Sequence, residues 1–131
     1  MIRSLRANAA LLSTIPAQVI AADDTINGTA VTWGDCQSAM AVVVTGTITD
    51  GTHTVELQHS DDNSSWAAVP TSQLAGTEPA LDDGDSDTIT ELGYLGTKKY
   101  LRVSITSADT TSGGLIGAYI LKAYPSQGPL R

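Results

Sequence analysis

Carboxylates concentrate in two short stretches of the sequence that could bind a hard cation. Asp61 and Asp62 are adjacent, and the later stretch "DDGDSD" contributes four more aspartates. Calcium prefers clusters of oxygen ligands of this kind. The later stretch fails as an EF-hand loop, because from Asp83 onward the glycine is misplaced and Tyr94 stands where a bidentate glutamate is required. We therefore expect a solvated acidic loop, with a calcium site as the alternative.

Two histidines, His53 and His59, fall on one predicted strand at a spacing that places both on the same face. Paired histidines could bind zinc, but a zinc site also requires further ligands nearby, and none is evident. We expect both histidines at the surface. The sequence contains no nucleophile elbow, phosphate loop, dinucleotide fingerprint or Cys-x-x-Cys motif. It therefore predicts no enzyme, no catalytic residue, no cofactor and no metal ligand.

Two tryptophans and one cysteine complete the set of candidate residues. Trp33 and Trp66 could form a stacking platform for a sugar, but Trp66 opens a strand after a polar turn, which favours a position in the core or at its rim. Cys36 is the only cysteine, so it cannot form an intrachain disulfide. We expect a structural thiol in a protein made in a reducing compartment.

The charge and the hydropathy of the chain each argue against one class of partner. The 131 residues carry a formal net charge of −7, and an acidic surface repels the phosphates of nucleic acids. No apolar stretch approaches the length of a transmembrane helix. We therefore expect neither nucleic acid nor a membrane as a partner.

The elements that would position these residues are short strands. Phe is absent, and Val, Ile and Thr recur in bursts between turn-forming residues. The strongest strand signal covers residues 39–49, where Val42–Val44 form the continuous apolar run that is typical of a strand covered on both faces. Asp50-Gly51 predicts a hairpin into a strand over 52–59, and the polar stretch 60–65 predicts a turn into the strand that begins at Trp66.

Later strands are predicted over 86–92, with Ile89 inside, over 100–106, and over 115–123. The total of seven or eight short strands predicts an all-β, antiparallel β-sandwich of the jelly-roll or immunoglobulin-like type over residues 25–123. Residues 1–24 are predicted to be an extended N-terminal arm, because polar residues and Pro16 interrupt any regular pattern. Residues 124–131 are predicted to be an extended C-terminal tail, since prolines there disfavour a central strand.

Three stretches of the sequence resemble a known class of proteins. They are "HTVELQHSDDNSSWAAVP" (residues 53–70), "ITELGYLGTKKYLRVSIT" (89–106) and "GGLIGAYILKAYPSQGPLR" (113–131). Together they resemble small structural proteins encoded in the head-gene region of tailed bacteriophages. Many such proteins are capsid cement or decoration proteins with β-sandwich folds.

The resemblance implies a virion protein, made in the cytoplasm of a host bacterium, that binds the outer surface of the phage head. Its implied partners are the major capsid protein and further copies of itself, as a trimer or dimer at symmetry axes of the capsid. Two other functions remain open: a head–tail connector or tail component, and a carbohydrate-binding module for adhesion to hosts. A connector would form its own ring, whereas an adhesion module would lose glycan binding on Trp66→Ala.

For a cement protein, the two irregular ends are the expected contacts with the shell or a neighbouring subunit. Apolar side chains there would enter grooves, and arginines would meet acidic patches. The residues predicted to form this interface are Ile2, Arg3, Leu5, Arg6, Leu11, Leu12 and Ile15 in the arm, and Tyr124, Pro125, Pro129 and Leu130 in the tail.

Overall fold

The chain folds into two antiparallel β-sheets packed face to face, as a computed structural model describes for residues 4–34 and 36–125. The strands are β1 (Ala9–Ile20), β2 (Thr25–Asn27), β3 (Val31–Thr32), β4 (Cys36–Ile48), β5 (Thr52–Ser60), β6 (Ala67–Ala68), β7 (Leu74–Ala75), β8 (Ala80–Leu81), β9 (Ile89–Tyr94), β10 (Tyr100–Ala108) and β11 (Gly114–Pro125). One sheet has five strands in the order β1-β11-β4-β9-β7. The second has the order β2-β10-β5-β6, with β3 also paired to β10 and β8 to β5.

The chain passes repeatedly from one sheet to the other, which gives the sandwich the winding of a jelly roll. The predicted all-β sandwich is therefore confirmed. The predicted hairpin at Asp50-Gly51 is wrong, because β4 and β5 lie in different sheets and this turn crosses between them. The Asp50 carboxylate instead accepts backbone N–H groups of Thr111, Ser112 and Gly113 at 2.8–3.1 Å. These bonds to the charged form hold the pKa of Asp50 below its ordinary value.

Alternation along the strands builds the core between the sheets. Val55 and Leu57 on β5 point inward as predicted, and so do Leu101, Val103 and Ile105 on β10. The predicted hairpin from β5 into β6 is also confirmed, with Gln58 opposite Ala68.

The predicted inward position of Ile89, on β9, is wrong. Ile89 is 68% exposed, because successive side chains of a strand point to opposite faces and Leu92 and Tyr94 take the inward positions of β9. Ile89 therefore points outward.

The predicted N-terminal arm is wrong for most of its length, because residues 9–20 form β1 of the sandwich. Ile15 is fully buried in the chain's own core and therefore cannot anchor a neighbour. Register shifts on both sides of Ile15 absorb the residues that break the alternation. Pro16 is tolerated since β1 is an edge strand. Before β1 stands α1 (Leu5–Asn8), a single turn capped by the Ser4 side chain.

The predicted C-terminal tail is wrong at its start, because β11 continues to Pro125, which lies opposite Cys36 on β4. Tyr124 takes a positive φ of 60° at the end of the strand. No helix within residues 4–34 and 36–125 is long and apolar enough to cross a membrane.

Candidate functional site

The outer face of the five-stranded sheet is apolar. Residues directly opposite each other in the ladder share a face, so the register defines which side chains point away from the core. We call this surface the apolar outer face. It comprises Leu11, Ser13 and Val19 on β1, Leu115, Tyr119 and Leu121 on β11, Met40, Val42 and Val44 on β4, and Ile89 and Glu91 on β9.

Several of these side chains are largely open to solvent. Ile89 is 68% exposed, Val19 61% and Leu11 55%, and Leu115, which packs over Gly46, is 41% exposed. The side chains between them are half-buried by their neighbours; they are Met40, Val42 and Val44 on β4 and Tyr119 and Leu121 on β11. Exposed apolar patches of this continuity mark interaction surfaces in soluble proteins.

Among the residues of the apolar outer face, Glu91 is charged. At this point β9 pairs with β4 on one side, opposite Val42, while β7 begins to pair with β9 only at Gly93. Glu91 therefore lies at the margin of the face. A partner could cover the central rows without burying this carboxylate, which avoids the cost of desolvating an unpaired charge.

A groove lies at one end of the apolar outer face. It has a volume of about 390 Å³ and is bounded by Leu5 of α1, Leu95 after β9 and Tyr124 of β11, with Met40 and Leu121 among its lining residues. Leu5 is 72% exposed, Leu95 64% and Tyr124 55%. We call this the end groove. Its lining is mostly apolar, so it fits an apolar side chain of a protein partner better than a charged group.

A glycine keeps the end groove open. Gly93 lies opposite Met40 and Ala75, and a Cβ atom at this position would approach the Ala75 Cβ to 2.9 Å. The close packing of β7 against β9 therefore requires glycine here. The same absence of a side chain leaves the lining of the groove clear.

The structure brings together only part of the predicted interface. Leu5 and Tyr124 line the end groove, and a neighbouring cavity of about 260 Å³ is lined by Leu5, Arg6, Leu11 and others. Leu12 is 38% exposed but points toward the core side of β1, opposite Ile120. Pro125 ends β11, and Ile2, Arg3, Pro129 and Leu130 lie outside the described residues.

The sequence did not lead us to predict an interface on most of the apolar outer face. Its signal was nonetheless present: between residues 40 and 44, and again between 115 and 121, positions of both parities are apolar. A strand that is buried on one side only alternates between apolar and polar side chains. The continuous pattern therefore indicated a second buried face.

The outer face of the second sheet is polar, in contrast. Arg102 Nε donates to Gln58 Oε1 at 2.7 Å, and Gln58 Nε2 donates to Glu56 Oε1 at 2.7 Å. The Arg102 guanidinium also lies over the Trp66 ring, 4.3 Å from its centroid. Trp66 is half-buried at the rim, as predicted, and Arg102 covers one face of its ring. This sheet face is already occupied by contacts within the chain.

The expectation that both histidines are exposed is wrong, because both point into the sandwich from β5. His53 is fully buried, and its Nδ1 lies 2.7 Å from Ser107 Oγ. This resembles a nucleophile–base pair, but Ser107 is 4% exposed and the other ring nitrogen faces the Asp50 backbone carbonyl at 3.2 Å. The pair joins β5 to β10 and is closed to substrate.

His59 belongs to a second buried cluster, with Tyr94 and Trp33. The Tyr94 hydroxyl accepts the Lys98 N–H at 3.0 Å and forms a second hydrogen bond with His59 Nδ1 at 2.9 Å. Burial lowers the pKa of His59 below its ordinary value, and the Lys98 charge acts in the same direction. Trp33 meets the Tyr94 ring edge-on, and its indole N–H donates to the Lys98 carbonyl at 2.6 Å. Tyr94 thus caps the core.

The aspartate clusters serve turns. Asp62 Oδ1 accepts the N–H groups of Ser64 and Ser65 at 2.9 and 2.8 Å. Asp82 and Asp85 form a reciprocal capping box around a 3-10 turn. No group of three or more potential metal-ligating side chains occurs within residues 4–34 and 36–125. The stretch from Asp61 to Ser65 is therefore a turn stabilised by its own side chains.

Comparison with known proteins gives a structural likeness but no family. No protein-family model matches the sequence, and no curated protein matches it. A chain in the structure of infectious bursal disease virus, Gx strain, aligns with a TM-score of 0.48 and 11% identity, over 92% of this chain and 34% of that chain. The present chain thus spans about a third of the viral chain's length. Identity at this level assigns no family.

Proposed function

We propose that this chain is a structural protein of a virus particle, specifically a capsid cement or decoration protein of a tailed bacteriophage. In this role it binds the outer surface of the head and stabilises the shell by bridging neighbouring subunits of the major capsid protein. The observation that carries the proposal is the apolar outer face. A sandwich with one polar and one apolar outer face is suited to association with protein. The resemblance over residues 40–131 to proteins of tailed bacteriophages supports the kind of particle that we propose.

The physics of a cement protein fits a small rigid sandwich. A shell filled with DNA is under outward pressure, and a protein that binds only the assembled shell stabilises it by mass action. Each copy contributes little, but many copies act together on one shell. Two packed sheets resist deformation, and the end groove offers a place for an apolar side chain of a capsid subunit.

Cryo-electron microscopy of the intact particle that contains this chain tests the proposal. We expect density for many copies of the sandwich on the outer shell, each in contact with more than one capsid subunit. Density confined to the portal vertex or the tail would replace the cement function with that of a connector. Loss of host adhesion on Trp66→Ala, without any density on the shell, would favour a glycan-binding module.

A binding experiment tests the same proposal in solution. Purified protein added to shells that lack it should raise the temperature at which they release DNA, and the rise should saturate with added protein. Shells that bind no protein at any concentration would refute the cement function.

A further inference from the structure

Strands β4 and β11 are apolar on both of their faces, yet the part of the chain that the structure describes covers only one. Ala41 and Val43 point into the core, where Val43 is 1% exposed, while Val42 and Val44 point the other way. Sequence of this kind is typical of strands buried on both sides. Within residues 4–34 and 36–125 no segment covers the second face, which leaves this face available to another molecule.

We propose that this cover is a second copy of the same chain, and that two sandwiches pack their apolar outer faces together about a two-fold axis. Two sheets commonly pack face to face about 10 Å apart, with side chains from both interdigitating. In a two-fold contact the same patch is used by both partners, so the patch has to be complementary to itself. A broad sheet face made mostly of apolar side chains meets this condition.

The distribution of charge favours a second copy in this place. The chain carries a formal net charge of −7, so most of its surface repels an identical molecule. The apolar outer face carries only Glu91, and that carboxylate lies at the margin. Contact through this face therefore brings together the parts of two acidic molecules that repel each other least.

The size of the apolar outer face matches the requirement of a stable dimer. Strands lie ~4.8 Å apart and rise ~3.3 Å per residue, so three strands of 12 or 13 residues and the six-residue β9 present roughly 700 Å² in projection. Specific interfaces bury about 800 Å² per partner. The pleat and the side chains add to the projected area, so the face suffices for a standard interface.

The dimer has a consequence for the shell, and here the inference rests on the proposed function. A two-fold pair presents each remaining surface twice, in opposite directions across the axis. Such a pair can hold two capsid subunits at once, which a single sandwich with one binding surface cannot do. The dimer thereby becomes the bridging unit, and its second contact benefits from a raised effective concentration.

The test is the mass of the full-length protein in solution, measured by light scattering over about 1–100 µM, where interfaces of this size associate. We expect about 27 kDa, twice the 13.6 kDa of one chain. Leu115→Glu places a carboxylate in both halves of the contact and should raise the dimer dissociation constant at least 100-fold. Thr54→Glu adds the same charge to the polar outer face and should leave the dimer intact.

Folding of each variant is checked by the fluorescence of the two tryptophans, Trp33 and Trp66, and by thermal melting. If Leu115→Glu fails to fold, Tyr119→Glu replaces it, since that side chain is half-buried on the same inner strand, β11, away from the margin of the face. A monomeric wild-type protein at the highest concentration would overturn the inference. A trimer, or a dimer that survives the substitutions in the apolar outer face, would also overturn it.

Binding to shells separates this inference from the proposed function. A protein that is monomeric in solution, binds shells, and loses that binding on Leu115→Glu would assign the apolar outer face to the capsid protein; the dimer is then wrong and the cement function stands. A dimer that dissociates on Leu115→Glu but never binds shells would leave the dimer standing and refute the cement function.

Discussion

The hydroxyl group of Tyr94 joins three segments of the chain, and its removal tests the interpretation of the buried cluster. Tyr94→Phe keeps the ring contacts with Trp33 and His59, whose ring centroids lie 5.6 and 5.7 Å away. It deletes only two hydrogen bonds, one formed with His59 Nδ1 and one accepted from the Lys98 N–H. The change is therefore a clean measure of buried polar contacts.

The structure gives the expected size of the effect. His59 is 4% exposed, so its Nδ1 is left without a partner, and an unsatisfied buried group costs ~1–3 kcal/mol. The Lys98 amide lies in the surface turn after Leu95, where water can replace the hydroxyl, and losing its bond costs ~0.5–1 kcal/mol. We expect Tyr94→Phe to lower the free energy of unfolding by about 2–3 kcal/mol.

Urea unfolding followed by Trp fluorescence measures this difference. The protein concentration has to be held constant, because any self-association makes the apparent stability depend on it. Tyr100→Phe is the matched control: Tyr100 is half-buried, and within the described residues its hydroxyl makes no hydrogen bond. We expect a change below ~0.5 kcal/mol for the control. The reasoning is refuted if Tyr94→Phe is as mild as Tyr100→Phe.

Three further predictions concern the same fold. Burial lowers the pKa of His59, so the unfolded chain takes up the proton first as the pH falls through the ordinary value of 6.5. The contribution of neutral His59 to stability is therefore complete above that pH and is lost toward about pH 5. Thermal melts should show this decrease in the wild-type protein and a smaller decrease in His59→Gln. Gly113→Ala places a Cβ 1.8 Å from the Ile20 carbonyl oxygen at a φ of +78°, and it should lower the free energy of unfolding in urea by ~2–4 kcal/mol. At Gly34 the nearest atom to an added Cβ is Lys99 Cγ at 3.6 Å, so Gly34→Ala should be nearly neutral. Ile15→Ala should cost ~2–5 kcal/mol by the same assay and Leu12→Ala under ~1 kcal/mol; equal effects would contradict the assignment of Ile15 to the core.

The strands with clean alternation were predictable from sequence because local pattern and tertiary packing agree there. On β10, Leu101, Val103 and Ile105 alternate with more polar residues and are all fully buried. On β5, the same reasoning predicted Val55 and Leu57 correctly. It failed for His53 and His59 only because histidine, as a polar residue, was expected at the surface. Both side chains lie on the same face of β5 as the inward-pointing Val55. A buried histidine is tolerated once its ring nitrogens find partners across the sheet.

Other features depend on contacts that local sequence does not reveal. Pro16 and the polar residues near it look irregular, because register shifts relative to β11 are invisible until the partner strand is known. Asp50-Gly51 has the chemistry of a hairpin turn, but turn chemistry does not say whether the next strand joins the same sheet. For the apolar outer face, the run Val42–Val44 indicated that two faces are apolar, but no pattern within the strand identifies what covers the second face.

The position of β11 within its sheet has a consequence for synthesis on the ribosome. This strand, Gly114–Pro125, pairs with β1 on one side and with β4 on the other. Until it emerges, the nascent chain holds two long apolar strands with no neighbour between them, and such unpaired edges invite aggregation. The five-stranded sheet therefore forms only after translation has passed these residues. A premature stop codon before residue 114 would leave a polypeptide that depends on chaperones to remain in solution.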